Sequence, residues 1–415
     1  MKALIWFTKD LRIHDNPTLD WARKNSCDIM ALVFEENVGS AGSKEFYLRS
    51  AMELKKKFQD HQIYFSILKG DPAEEIPKWM KLNSIDIVLT QDYFNSRDRD
   101  QLTKLEKSIS PGKIKTFFGQ TLLDIKELPF EISKLPDVFT EFRKKVESNM
   151  RIDNLLATSL NEMTSFIPRV PGDVKPFEVT GVEIQGNIPF DILPGESGGI
   201  DRLNEYFWLT QSLAHFKSTR NGMIEKNDSS KFSMSLGCGC LSPRLIFAKV
   251  KEFEAKFGTS ESTKWFFYEL LWRDYFKFLA LKIGDKLFSI NGITSQKKNW
   301  NEDLKSFQNW CLGQTGADFI DANMIELRKT GWMSNRGRQN VASYLAKTMN
   351  INWTLGANYF EQMLIDFDTE SNWGNWIYVA GVGTDPRDRL FNYQKQAEMY
   401  DPDFSYRKKW LQVGE

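Results

Sequence analysis

The sequence predicts two structural units of different class: a parallel α/β sheet domain over residues 1–130 and an all-α domain over residues 196–415, joined by a connector over 131–195. Three observations predict this. A chain of 415 residues is too long for one ordinary core. Its first third alternates short apolar runs with amphipathic stretches. From Gly198 onward the apolar spacing is almost purely helical.

In the first unit the apolar runs are Ala3–Phe7, Ile29–Phe34, Ile63–Leu68 and Ile85–Thr90. Between them, Thr18–Asn25, Leu48–Gln62 and Ala73–Leu82 carry helix-like spacing. Strand–helix alternation of this kind implies parallel strands with right-handed crossovers. No glycine-rich dinucleotide or P-loop motif sits at a strand end. The connector is punctuated by Pro136, Pro168, Pro171, Pro176, Pro189 and Pro194, with little sustained periodicity. In the second unit Arg244–Phe257, Thr263–Leu281, Asp318–Lys329, Gln339–Met349 and Gly356–Asp366 read as helices. Gly284–Lys298 and Asp368–Arg387, rich in Gly, Asn and Asp, read as loops that could line a cavity.

Composition narrows the class. Hydrophobic residues make up 41% and charged residues 27%, an ordinary balance for a globular protein. No apolar stretch approaches the ~20 residues that span a bilayer, and MKALIWFTKDLR runs too quickly into charge for a secretory leader. A cytoplasmic, monomeric protein without membrane contact is expected. The net charge of zero leaves nucleic-acid binding to a local basic face. Cys27, Cys238, Cys240 and Cys311 do not complete a zinc set, so no metal is expected. Ten of the thirteen tryptophans follow residue 200, a density suited to a large aromatic core or to stacking on a flat ligand.

Four segments could carry chemistry. Ser229-Ser230-Lys231-Phe232-Ser233 offers hydroxyls and backbone N–H groups for a pyrophosphate, although a helix-capping turn is the simpler reading of it alone. Glu269, Trp272 and Arg273 share one helical face, suited to a stacked, hydrogen-bonding ring or to a salt-bridged core helix. Asn335, Arg338 and Gln339 share another, beside Arg336; amides and guanidinium groups suit phosphate or a heterocycle. Asp366, following an apolar helix, needs a cationic partner if buried. Asp368 and Asn372 follow it among Asn/Gly turn residues.

In this order and spacing the four segments resemble the FAD-binding domain of the photolyase/cryptochrome family. Trp6-Phe-Thr-Lys-Asp-Leu-Arg12 with Asp15-Asn16-Pro17 resembles that family's N-terminal signature, and the likeness runs to Trp410. Gly337–Ser343 and Asn375–Gly383 resemble its DASH subgroup. The fold implied is photolyase/cryptochrome-like: a Rossmann-like parallel sheet domain and an all-α FAD-binding domain.

The resemblance implies the following roles. Ser229, Ser230 and Ser233 lie where the family binds the FAD phosphates, and Phe232 among them is also cofactor-binding. Phe216 stands where a tyrosine is usual, so that hydroxyl is missing. Glu269, Arg273, Asn335, Arg338, Asp366, Asp368 and Asn372 surround the rest of the cofactor. Glu269, Trp272, Tyr378 and Asn372 are the implied catalytic set. Trp376, Trp353 and Trp300 are the implied electron-transfer chain. Arg220, Trp272, Arg336, Gln339, Tyr378 and Arg389 are the implied DNA contacts. Gln339 and Tyr378 replace the Met and Trp of duplex-repairing members, which shifts the expected substrate to single-stranded or looped DNA. The implied activity is blue-light-driven splitting of cyclobutane pyrimidine dimers; the alternative is a photoreceptor that signals through a protein partner. A chain ending at Glu415, soon after the matched region, favours repair. A folate-type antenna (methenyltetrahydrofolate) stays open, because no folate-binding acid is matched around Asn95–Asp98.

Overall fold

The computed structural model describes every residue except 37–38, 150–151, 153–154, 173–187, 295–297, 385–389 and 412–415. The first part runs β1 (Lys2–Phe7), α1 (Pro17–Lys24), β2 (Asp28–Phe34), α2 (Ala41–Asp60), β3 (Phe65–Leu68), α3 (Pro72–Asn83), β4 (Ile87–Gln91), α4 (Ser96–Ser108), β5 (Ile114–Phe117), α5 (Phe139–Asn149) and β6 (Thr164–Ser165). All pairings are parallel in the order β3-β2-β1-β4-β5, with β6 added to the start of β2. The central strands are buried almost residue for residue, as strands covered on both faces must be. Crossover helices start where the sequence offers a cap. Asn16 accepts from Thr18 and Leu19 N–H with Pro17 opening α1, and Asp71 with Pro72 does the same for α3.

The second part is helical: α6 (Gly195–Asn204), α7 (Phe216–Thr219), α8 (Ser233–Gly237), α9 (Pro243–Phe257), α10 (Glu261–Ile283), α11 (Leu304–Leu312), α12 (Asp318–Thr330), α13 (Asn335–Ser343), α14 (Trp353–Met363), α15 (Thr369–Ala380), α16 (Tyr393–Tyr400) and α17 (Ser405–Leu411). The five expected helices are present as α9, α10, α12, α13 and α14. Two expectations need correction. The stretch after Asp368 is not a loop: it forms α15, capped by the Asp368 carboxylate on Ser371 N–H and anchored by buried Trp373 and Trp376. The connector region also contains α5, whose Phe139, Phe142 and Val146 are buried beside α10.

The sheet positions the helical half through the sequence that resembles the N-terminal family signature. In doubly wound sheets the ends of strands flanking the topological switch, here β1 and β4, form a ligand crevice. In this protein that edge meets the helical half instead. Arg12 is 1% exposed and donates to four backbone carbonyls: His14 O, Asp15 O, Gly119 O and Gly239 O. Gly239 has φ +71°, and a Cβ there would lie 2.0 Å from Lys9 O, so only glycine lets the two backbones approach. Glu196, at the start of α6, accepts from Ile13 N, His14 N and His14 Nδ1, and pairs with Lys57 at 2.8 Å. Burial alone would raise its pKa; His14 and Lys57 overcome this and bring it down to about 2. The apolar core beneath one sheet face continues into Met234, Cys238, Trp332 and Ile365 of the helical half.

Candidate functional site

Helices α10, α13, α14 and α15 carry eleven of the twenty-one singled-out side chains. Ser260 opens α10 with a capping box to Thr263, and Ser334 opens α13 by accepting from Gly337 N–H. Both carboxylate oxygens of buried Asp366 accept from a single nitrogen, Arg338 Nη2, at 2.8 and 2.9 Å, while Arg338 Nε donates to Met333 O. Two residues on, Asp368 sits 3.2 Å from Lys277 and 3.5 Å from Arg273. Burial disfavours its charge, but Lys277, Arg273 and the Ser371 hydrogen bond outweigh that and hold its carboxyl far below the usual range.

Glu269 and Arg220 form a close ion pair. Burial raises the Glu269 pKa, and Arg220 offsets only part of the rise. Trp272, one turn on, stacks on Phe139 with ring centroids 3.7 Å apart at 11°, and meets Tyr378 edge-on at 6.1 Å. Together with Phe276 these rings line a shallow pocket beside Gly374. Arg273 turns instead toward Gln120 O, Leu236 O and Asp368. The three residues expected on one helical face therefore serve three neighbours.

The Ser229–Ser233 segment is held by Arg202, which donates to Ser229 O, Ser230 O and Asn227 Oδ1. Ser229 and Ser230 are half-buried and Ser233 is exposed, as is Asn335 at the start of α13. Lys231 packs over Phe190 and Trp332 at 4.4 and 4.2 Å; burial lowers its pKa to about 8. Phe216 and Phe232 lie in the aromatic core around Phe266, at 4.9 and 6.1 Å, so either would meet a ligand mainly through its backbone.

Asn372 is buried and donates its amide to Ala357 O at 3.0 Å, which fixes the amide plane and turns Oδ1 to the opposite side. Trp376 is buried on the same helix. Gly356, one turn after Trp353, lies against it: a Cβ would come 2.3 Å from Trp376 Cη2. Trp353 Nε1 donates to Ile290 O at 2.9 Å. Trp300 is held near the start of α14 by the Asn301–Ile351 bridge and Asn301 N–H to Asn350 O. Arg336 lies over Tyr400 at 4.6 Å and donates to Asn221 and Gln396; Gln339 and Tyr378 are half-buried, and Arg389 lies outside the described residues. Sequence reasoning passed over Trp310, edge-on to Trp376 at 6.2 Å, and Phe139. Neither belongs to a polar motif, and both contacts span long sequence distances.

The donor set suits FAD. Serine hydroxyls suit a pyrophosphate, Arg338 and Asn372 a hydrogen-bonding ring, and the buried tryptophans a redox-active partner. Among the described residues no group of His, Cys, Asp and Glu could hold a metal, and no helix is long and apolar enough to cross a membrane.

Comparison with known proteins agrees with these features. Residues 3–162 match the DNA photolyase family, and residues 265–414 match the FAD binding domain of DNA photolyase. Cryptochrome DASH of Danio rerio is 39% identical, with 97% of this chain and 81% of that protein covered. Cryptochrome DASH of Gloeobacter violaceus is 40% identical over 99% and 85%. The crystal structure of a Synechocystis sp. cryptochrome superposes with a TM-score of 0.92 at 37% identity, covering 99% of this chain and 88% of that one. A class III photolyase from Agrobacterium tumefaciens, 24% identical, shares the fold at a TM-score of 0.84, with 99% and 86% covered. The chain therefore belongs to the photolyase/cryptochrome family, in its cryptochrome DASH group, and is a flavin-dependent protein of that family.

Proposed function

We propose that this protein is a light-driven lyase that splits cyclobutane pyrimidine dimers in single-stranded or looped DNA. The observation that carries the proposal is the Glu269–Arg220 pair beside the Trp272–Tyr378 aromatic wall. Bound and reduced FAD would supply the blue-light-excited one-electron donor. Ser229, Ser230 and Ser233 would hold its phosphates, with Arg273, Asn335, Arg338, Asp366, Asp368 and Asn372 around the remainder; Phe216 and Phe232 would back the phosphate segment. Asn372 Oδ1, oriented by the bond to Ala357 O, would accept from a ring N–H.

The DNA side follows from the same residues. Trp272 and Tyr378 offer faces for an extruded dimer, each base-stacking contact being worth roughly 1–3 kcal/mol. Arg220, Arg336, Gln339 and Arg389 would grip the strand. A phosphate that draws Arg220 away removes the cation favouring the Glu269 carboxylate. Glu269, whose pKa burial already raises, would then take up a proton from water and donate it in a hydrogen bond to the dimer carbonyl as negative charge develops. Trp376, Trp353 and Trp300 offer electrons a path inward from the surface.

The proposal extends to a monomer in a reducing cytoplasm, where Cys27, Cys238, Cys240 and Cys311 stay free thiols. The Asn95–Asp98 side chains already engage Glu370, Asp285, Glu361 and Thr369, which supports FAD without a folate antenna. Soaking with methenyltetrahydrofolate should add no absorbance band.

The test is illuminated repair of matched single-stranded and duplex dimer oligonucleotides at one salt concentration. Single strands should be repaired more efficiently. Glu269→Ala should slow repair by about ten- to a hundredfold, the cost of one charge-assisted hydrogen bond, and Glu269→Gln, which keeps a donor, by less. Equal repair of both substrates would remove the substrate claim. Photoreduction without any repair would favour a photoreceptor.

A further inference from the structure

We propose that Trp373 is a redox-active side chain that gives an electron to oxidised Trp353 and rests as a neutral radical, its indole proton held by Glu361. The inference rests on the flavin-dependent reading above. Trp373 lies on α15 three residues before Trp376, is 2% exposed, and meets Trp353 edge-on with ring centroids 5.7 Å apart. That is closer than the 6.2 Å between Trp376 and Trp310. Its Nε1–H donates to Glu361 Oε2 at 3.2 Å, and Glu361 Oε1 accepts from Arg97 of α4 at 2.7 Å. The Arg97 guanidinium also lies over Phe288 and Trp373, 4.8 and 5.7 Å from the ring centroids.

This arrangement favours one form of the oxidised ring. A fixed guanidinium repels a second positive charge on the indole beside it. Electron loss from Trp373 is therefore favourable only if its proton leaves as well, and a carboxylate already accepts that N–H. In the balanced step, one electron passes from Trp373 to the Trp353 radical cation, restoring neutral Trp353. The Nε1 proton passes to Glu361 Oε2, leaving a neutral indolyl radical and a neutral carboxylic acid. Trp300 has no comparable base: among the described residues its buried Nε1 has no hydrogen-bond partner. The oxidising equivalent thus has two ends, one at Trp300 and one at the contact between α4 and α14, where loss of the Glu361 charge loosens the Arg97 ion pair.

Time-resolved absorption after a light pulse, on protein reconstituted with FAD, separates the neutral indolyl radical from the cation by their different bands. Trp300→Phe should retain a long-lived neutral radical. Adding Trp373→Phe or Glu361→Gln to that background should abolish it, with flavin content unchanged. Loss of the radical in Trp300→Phe alone, or its survival unchanged in both double variants, overturns the branch while leaving the flavin reading intact. A flavin-loaded wild type that forms no tryptophan radical at all overturns the electron-transfer reading, and this branch with it.

Discussion

Arg12 is buried and Arg336 half-buried, and the two are held in opposite ways. Arg12, at the joint between the sheet and the helical half, directs its donors to four backbone carbonyls. Arg336, on α13, is bound by side chains: Asn221, Gln396 and the face of Tyr400. Arg220 is likewise held by the Glu269 side chain and the face of Trp265. Backbone carbonyls of a packed chain cannot move aside for a ligand, whereas side chains can rotate and exchange one partner for another. On the proposed reading Arg12 belongs to the scaffold and Arg336 and Arg220 to the DNA-gripping surface, although residue type and local sequence do not distinguish them.

The largest effect is expected at the joint. Arg12→Met leaves buried carbonyls without donors and should cost about 3–5 kcal/mol in denaturant unfolding. Wild-type stability would show that the joint does not depend on this guanidinium. The next effect depends on pH. Glu196 has its folded pKa lowered from 4.5 to about 2, so its stabilisation is present above pH 4.5 and is lost as pH falls through the window toward 2. The shift corresponds to about 3 kcal/mol at most. Glu196→Gln should remove that contribution at neutral pH and flatten the acid limb of the unfolding curve; an unchanged limb would mean that other carboxylates govern acid stability. The smallest effect on stability is expected at Arg336. Arg336→Ala should melt near wild type while the slope of log affinity against log salt for single-stranded DNA falls by about 1. A large drop in melting temperature with an unchanged slope would move Arg336 into the scaffold set.

The sequence reveals some of these features and hides others for physical reasons. Strands β1 to β4 are legible because burial on both faces demands unbroken apolar runs. β5 (Ile114–Phe117) is short and half-exposed, with a lysine inside it, and gives little signal. Helix α15 reads as a loop because its Ser, Asn and Gly residues are turn formers in isolation. It is a helix because Asp368 caps it and two tryptophans bury against its neighbours, and neither fact is local. The arginine expected for Asp366 is Arg338, legible because both lie in the recognised motifs. The partners of Trp272 and Trp373, Phe139 and Glu361, are not legible, since only tertiary packing brings them together. The Trp6–Pro17 segment is legible as a signature but not in its role: it clasps the two halves.

That the helical half holds FAD non-covalently is tested most directly by flavin stoichiometry. Purified protein is saturated with FAD, freed of excess, denatured, and the released flavin measured against protein. About one flavin per chain is expected, released intact by denaturation, because the proposed contacts are hydrogen bonds and ion pairs rather than a covalent link. Folded protein that retains no flavin would contradict it.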